Sequence, residues 1–221
     1  MFSRTSAPRI LPFAVYLFFL FLADVLLRAG VDAQTLRWLY PIKIAGIIGV
    51  LWALSSTYVE LRFPRDAGVE TWITAIVAGA IVFIAWINLN ARWMVIGQSD
   101  GFDPSSDAGM NFWLVAFRIA GAAIVVPIME ELFWRSFLMR WIEDADFLNL
   151  EPARIGIRGF CIAALFFASE HNLWLAGLVA GVAYNWLYMR SGTLWSPILA
   201  HAVTNGLLGI WVVKTGNWAY W

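Results

Sequence analysis

Long apolar stretches follow one another along almost the whole of this sequence, separated by short polar segments. The hydrocarbon core of a bilayer is about 30 Å thick, and an α-helix needs roughly 20 apolar residues to cross it. A helix satisfies its own backbone hydrogen bonds in lipid, whereas an open sheet does not. The sequence therefore predicts an all-α, polytopic transmembrane helical bundle of about seven to eight spans. The predicted spans are 10–29, 38–59, 70–91, 109–130, 154–171, 173–190 and 193–213.

Composition supports the same class of protein and excludes others. Of the 221 residues, 61% are hydrophobic and only 14% are charged, whereas about a quarter of a soluble domain is charged. The formal net charge is zero and no basic run is present, so no nucleic-acid partner is expected. The single cysteine, Cys161, excludes an intrachain disulfide and a cysteine-based zinc site. The first apolar run is expected to be a retained helix and not a cleaved signal.

Ionisable residues interrupt the apolar segments of the C-terminal half. They are Glu130, Glu131, Arg135, His171 and His201, and they include both histidines of the chain. An ionisable group at the centre of a membrane helix costs about 2.5–3.5 kcal/mol on insertion scales. A cluster of such groups is therefore a hypothesis for a functional site.

The spacing of these residues assigns them to helix faces. Glu131 and Arg135 are four positions apart with the acid first, the favourable arrangement for an ion pair on a helix. Glu130 is rotated by about 100° from Glu131 and can face another part of the bundle, as a general base would. His201 and Asn205 are also four apart, and can present two neighbouring hydrogen-bond donors to a developing oxyanion.

Three motifs now stand in series on apolar helices, and together they resemble one family. The chain is similar to the CPBP (CAAX protease and bacteriocin-processing) intramembrane proteases over about residues 109 to 213. The apolar pattern predicts one integral membrane domain over 1–221 with N-terminal spans at 1–108, and the resemblance implies a catalytic core of the CPBP type at 109–213. The motifs are EExxxR at Glu130, Glu131 and Arg135, FxxxH at Phe167 and His171, and HxxxN at His201 and Asn205.

The resemblance implies an endopeptidase that cleaves a membrane-associated substrate with an activated water. Glu130 and His171 would activate the water, while His201 and Asn205 would stabilise the oxyanion. Glu131 and Arg135 would shape the site, and Phe167 would support His171. The implied partners are membrane lipid and a membrane-anchored protein or peptide, and the implied location is the bacterial inner membrane. The C-terminal stretch also resembles a bacterial subgroup linked to exosortase systems, which implies an exosortase-system partner.

Other readings of the same residues remain open. Glu130, His171 and His201 are two imidazoles and a carboxylate, enough for a catalytic zinc ion, although no HExxH motif is present and no cofactor is expected. A membrane scaffold or immunity protein would keep the fold without catalysis. The remaining intramembrane charges would suit a transporter, and Asp24 is expected to pair between helices with Lys43 or Arg118.

Straight spans would keep the proposed water-activating residues apart. Glu130 would lie near one end of the fourth span, and His171 near the opposite face of the membrane at the end of the fifth. A shared water would therefore require that the fifth segment is tilted, re-entrant or displaced, or that the fourth span breaks near Pro127.

Overall fold

The computed structural model describes residues 5–97, 101–106 and 109–221. The helices are α1 Ala7–Arg28, α2 Ala33–Leu36, α3 Leu39–Ala53, α4 Val69–Asn88, α5 Phe112–Ala120, α6 Val126–Glu131, α7 Met139–Trp141, α8 Ile157–Ser169, α9 Trp174–Ser191 and α10 Trp195–Thr215. Single 3₁₀ turns occur at Ser55–Thr57, Val59–Leu61, Arg92–Met94, Pro152–Arg154 and Trp218–Tyr220. Two short antiparallel strands, β1 Ser105–Ser106 and β2 Gly109–Met110, pair Ser105 with Met110.

The structure confirms an all-α integral membrane protein. Within the described residues, five helical segments are long and apolar enough to cross a bilayer: Ala7–Arg28, Ala33–Ala53, Val69–Asn88, Phe112–Trp141 and Trp195–Thr215. The segments predicted at 154–171 and 173–190 are also helical. However, α8 has only 13 residues, about 20 Å at 1.5 Å per residue. α9 is a continuous helix that contains polar side chains such as Asn185.

The fourth span, predicted at 109–130, continues as a helix to Trp141 and does not break at Pro127. From Phe112 to Trp141 the chain is helical throughout, because π-helical segments Gly121–Val125 and Leu132–Leu138 join α5, α6 and α7. Pro127 lies in the first turn of α6, directly after the first π segment. A proline has no N–H to donate, and a local π segment is one way for a helix to accommodate this. We call Phe112–Trp141 the long helix.

Local signals explain where several helices begin and end. The Asn111 side chain accepts hydrogen bonds from the backbone N–H groups of Trp113 and Leu114, which caps the long helix. α9 and α10 both end at a glycine in the left-handed region, Gly192 at φ 68° and Gly216 at φ 69°.

α10 lies at the centre of the bundle and carries part of the functional site. It packs against α4, α5, α6, α9 and the first π segment. α8 packs on α9, where the small-residue pair Gly177 and Gly181 lets the backbones approach. A Cβ at Gly181 would lie 3.1 Å from the Cα of Ala164. This close contact holds the C-terminal end of α8 against the core.

The prediction that Asp24 forms an ion pair with a residue of another helix is wrong. Asp24 binds Arg28 on its own helix, with an Oδ2–Nε distance of 2.9 Å, and both side chains are more than half exposed. Neighbouring residues on one helix turn reach each other at lower entropic cost than residues on separate helices. Lys43 and Arg118 instead contact aromatic rings.

Candidate active site

A small cavity brings the four predicted catalytic residues together. Its volume is about 170 Å³, enough for a few water molecules or a short part of a substrate. Its walls include Glu130, His171, His201, Asn205, Phe167, Arg118, Tyr40, Tyr184, Thr204 and Trp221. We call it the catalytic cavity.

The path of the chain removes the expected separation between Glu130 and His171. Glu130 is well inside the long helix, because that helix continues eleven residues beyond it to Trp141. α8 begins only at Ile157 and ends at Ser169, so His171 follows directly on a short helix. Because α8 is short and lies beside the long helix, the side chains of Glu130 and His171 line the same cavity.

Glu130 lies in this cavity with an unused hydrogen-bonding atom. The residue is only 7% exposed, and its Oε2 has no hydrogen-bond partner among the residues that the structure describes. A buried carboxylate oxygen without a partner is costly unless something binds it. This is the behaviour expected of a general base that holds a water.

Glu131 does not face the cavity but forms a buried ion pair behind it. Its Oε1 lies 3.1 Å from Nη1 of Arg135, as the i, i+4 spacing predicted, and both side chains are fully buried. The same Oε1 accepts a hydrogen bond from Nδ1 of His201 at 2.9 Å. Glu131 therefore connects the arginine of the first motif to the histidine of the third.

Arg135 is held by partners that the motifs do not contain. Its Nε donates to Oδ1 of Asn185 at 3.0 Å, and Asn185 in turn donates to the Phe160 carbonyl at 2.9 Å. The guanidinium carbon also lies 4.5 Å from the centroid of the Phe167 ring. These contacts fix the guanidinium, and through it the Glu131 carboxylate.

His171 is oriented by its own helix and by an aromatic contact. Its Nδ1 lies 2.8 Å from the Phe167 carbonyl. Because a carbonyl only accepts, this hydrogen bond assigns the proton to Nδ1 and leaves the lone pair on Nε2. The ring meets Trp86 edge to face, with centroids 5.1 Å apart. Nε2 is thus available as an acceptor for a water proton.

His201 and Asn205 line the same cavity from α10, where they lie one turn apart. Asn205 donates one N–H to the Ala122 carbonyl at 2.8 Å, which leaves its second N–H for another acceptor. The His201 ring stacks on Tyr184, with centroids 5.1 Å apart and planes 22° apart. The Tyr184 hydroxyl donates to Oγ1 of Thr204 at 2.7 Å, which fixes the ring on which His201 rests.

Sequence reasoning missed several residues of this site. Asn185 carried a usable signal, because it is a polar side chain within an apolar segment, as Glu130 is. Tyr184 and Thr204 carried none, since both are common in membrane helices. Arg118 was predicted only as a candidate partner of Asp24 and not as a residue of this site.

No group of three histidine, cysteine, aspartate or glutamate side chains is arranged to hold a metal ion in the part of the chain that the structure describes. Glu130, His171 and His201 do share the catalytic cavity, but Nδ1 of each histidine is already engaged. Any ligation would use the two Nε2 atoms.

The bundle of long apolar helices defines an integral membrane protein, and its catalytic cavity contains buried carboxylate, imidazole and amide groups. Residues 111–207 match the family described as type II CAAX prenyl endopeptidase Rce1-like. This segment contains all three motifs, so the resemblance to the CPBP family is confirmed over this part of the chain. No curated protein and no solved structure gives a significant match.

Proposed function

We propose that this protein hydrolyses a peptide bond of a membrane-associated substrate with a water molecule activated by Glu130. The observation that carries the proposal is the catalytic cavity itself. It places the unpartnered Oε2 of Glu130 in one small space with His171, His201 and Asn205. Each of these groups can then act on one water and one substrate carbonyl.

The reaction begins with the water between the carboxylate and the imidazole. Glu130 accepts one proton of the water, and Nε2 of His171 accepts a hydrogen bond from the other. The water oxygen attacks the carbonyl carbon, and the carbonyl π electrons move onto the oxygen. When the tetrahedral intermediate collapses, the C–N bond breaks and Glu130 returns its proton to the leaving nitrogen.

The oxyanion is stabilised from the α10 side of the cavity. Asn205 donates its free N–H, and His201 donates from Nε2. Because Nδ1–H of His201 is bonded to Glu131, Nε2 can donate only when the ring is an imidazolium. The hydrogen bond to the Glu131 carboxylate orients the ring, so Glu131 acts as a positioning residue for the oxyanion donor. An oxyanion-hole donor of this kind contributes about 10²–10³ in kcat.

No metal ion or other cofactor is part of the proposed reaction. The partners are membrane lipid and a membrane-anchored protein or peptide, and the bacterial inner membrane is the proposed location. An exosortase-system partner stays a prediction from the C-terminal stretch.

The decisive experiment measures cleavage of quenched peptides, prenylated and unmodified, by the purified protein in detergent. Glu130→Gln and His171→Ala are compared with wild type, and Glu151→Gln, an exposed carboxylate in a surface pair, is the matched control. We expect Glu130→Gln to lose activity by about 10²–10⁴-fold, with the control unchanged and chelator without effect.

Three results would contradict the proposal. Activity retained in Glu130→Gln would remove the proposed base, and cleavage lost with chelator and restored by zinc would establish a metal enzyme. No cleavage of any peptide by folded wild-type protein, together with specific capture of a membrane partner, would favour the scaffold or immunity function.

A further inference from the structure

A second small pocket lies at the end of the bundle where α4 and α10 begin and α9 ends. Its volume is about 170 Å³. None of the residues that line it also lines the catalytic cavity. Its walls include one acid, one base and four hydroxyl side chains: Glu70, Arg190, Thr71, Thr74, Ser191 and Ser196. We call it the polar pocket.

One hydroxyl of the polar pocket has no hydrogen-bond partner. Ser196 is fully buried, and its Oγ lacks a partner among the residues that the structure describes. Thr74 and Ser191 each donate to the backbone carbonyl four residues earlier on their own helix. Ser196 lies in the first turn of α10, so no helical carbonyl is available to it at that spacing. A buried hydroxyl without a partner is costly, and this atom therefore favours a bound polar ligand.

The two charges of the polar pocket are not paired with each other. Glu70 and Arg190 line the same small space, but neither forms an ion pair within the part of the chain that the structure describes. The guanidinium carbon of Arg190 lies 5.6 Å from the centroid of the Trp186 ring. A ligand with one anionic and one cationic group can contact both charges. A ligand with only a negative charge would be repelled by the Glu70 carboxylate.

The position of the polar pocket along the helices places it at the depth of the lipid headgroups. α4 and α10 are both long and apolar enough to cross the bilayer, and the pocket lies at the first turns of both helices. Trp72 and Trp195 are close to these turns, and both contact the ring of Phe63. Tryptophan is enriched at the interface between membrane and water. The arrangement therefore favours a ligand that is part of the membrane.

We propose that the polar pocket binds the phosphoethanolamine headgroup of a membrane phospholipid. The phosphate accepts hydrogen bonds from Arg190, whose guanidinium matches phosphate oxygens, and from the free hydroxyl of Ser196. The primary ammonium donates to the Glu70 carboxylate. A choline headgroup has no N–H to donate, and a glycerol headgroup has no cation for Glu70. The bound lipid would connect α4, α9 and α10, the last of which carries His201.

Native mass spectrometry of the delipidated protein in detergent tests the choice of headgroup. It compares phosphatidylethanolamine, phosphatidylcholine and phosphatidylglycerol with identical acyl chains. We expect one phosphatidylethanolamine to bind about 10–100-fold more tightly than the other two lipids, the value of a charge-assisted hydrogen bond. Glycerophosphoethanolamine has the same headgroup without acyl chains and is soluble. It should bind more weakly than the lipid, because it buries no acyl chain.

Substitution of the two charges should have distinct effects. In Glu70→Gln we expect the preference for ethanolamine over choline and glycerol headgroups to disappear. In Arg190→Gln the affinity for phosphatidylethanolamine should fall by about 10-fold or more. Glu151→Gln and Arg65→Gln are the matched controls, because both residues are exposed and lie outside the polar pocket. Both controls should keep the wild-type affinity.

Ser196→Ala separates a binding function from a structural one. Without lipid, this variant removes an unpartnered hydroxyl, so its unfolding temperature should equal or exceed that of wild type. Its affinity for phosphatidylethanolamine should nevertheless fall by about 10-fold.

Three results would overturn the inference. Equal binding of the three lipids by wild type would show that the headgroup is not recognised, and wild-type affinity in both Glu70→Gln and Arg190→Gln would place any lipid site elsewhere. Binding of glycerophosphoethanolamine as tight as that of the lipid would assign the polar pocket to a soluble ligand.

Discussion

Arg135 is the residue at which most polar contacts of the site meet. Its guanidinium binds the Glu131 carboxylate at 3.1 Å and the Asn185 side chain at 3.0 Å, and it lies over the Phe167 ring. It has no exposed surface. Arg135 therefore determines where Glu131 lies, and through Glu131 the orientation of His201.

We expect Arg135→Lys to destabilise the protein although the positive charge is kept. A lysine ammonium cannot reproduce the fixed fork of donors that binds Glu131 and Asn185 together. Loss of a buried, paired partner costs about 3–5 kcal/mol, and retention of the charge should limit the loss to about 1–3 kcal/mol. Thermal unfolding in detergent measures the change.

Arg154→Lys is the matched control for that experiment. Arg154 binds Glu151 at the same 3.1 Å distance, but both side chains are about 70% exposed. Exposed pairs contribute about 0–1 kcal/mol, so this variant should unfold almost like wild type. Equal decreases in unfolding temperature in the two variants would show that the Arg135 network stabilises the protein no more than an exposed ion pair does.

Distance along the chain separates the contacts that could be predicted from those that could not. The Glu131–Arg135 pair follows from helical spacing alone. The bond from His201 to Glu131 joins residues 70 positions apart, and the bond from Arg135 to Asn185 spans 50. Such contacts depend on how α9 and α10 pack against the long helix. The sequence motifs identified Glu131 and His201 but could not show that Glu131 supports His201.

At the scale of the helices, the apolar pattern predicted the segments better than their ends. The long helix continues past 130 because Leu132, Phe133 and Trp134 remain apolar after the two glutamates. α8 starts later than predicted because the Pro152–Arg154 turn precedes it. These two differences in length are what bring Glu130 and His171 to one cavity.

The contact between α8 and α9 gives a prediction at this scale. We expect Gly181→Val to reduce cleavage strongly while membrane insertion is kept, since a Cβ there would lie 3.1 Å from both Cα and the carbonyl oxygen of Ala164. Separation of the helices would move Phe167 and His171 away from the cavity. Peptide cleavage and membrane fractionation measure the two properties.

Gly49→Val tests whether the effect comes from the helix contact. No atom lies within 4 Å of a Cβ placed at Gly49, which lies on an exposed face of α3. This variant introduces the same valine into another apolar helix and should keep its activity. Full activity in Gly181→Val would mean that α8 is not positioned by this contact.

At the scale of the whole molecule, a buried ionic network joins the N-terminal spans to the catalytic helix. Arg9 of α1 binds Glu60 with two hydrogen bonds of 2.8 and 2.7 Å, and Ser136 of the long helix also donates to Glu60. The Tyr58 hydroxyl donates to the Pro8 carbonyl at 3.0 Å. These hydrogen bonds therefore connect the first spans to the helix that carries Glu130, Glu131 and Arg135, although the family match begins only at residue 111.

This network should make stability depend on pH in the acidic range. Burial raises the pKa of Glu60, but hydrogen bonds from Arg9 and Ser136 outweigh burial and hold the pKa below its ordinary value, near 4.3 for a free glutamate. A lowered folded-state pKa stabilises the fold above about pH 4.3, and this stabilisation is lost as the pH falls through the folded-state value.

We expect Glu60→Gln to unfold at lower temperature than wild type by a constant margin between about pH 6 and 8. Below about pH 4.3 the margin should shrink, because wild-type Glu60 then becomes protonated while glutamine does not titrate. Glu151→Gln, in the exposed pair with Arg154, should unfold at almost the same temperature as wild type at any pH. If the difference in unfolding temperature between Glu60→Gln and wild type stayed constant into the acidic range, the Glu60 charge would not stabilise the contact between the N-terminal spans and the long helix.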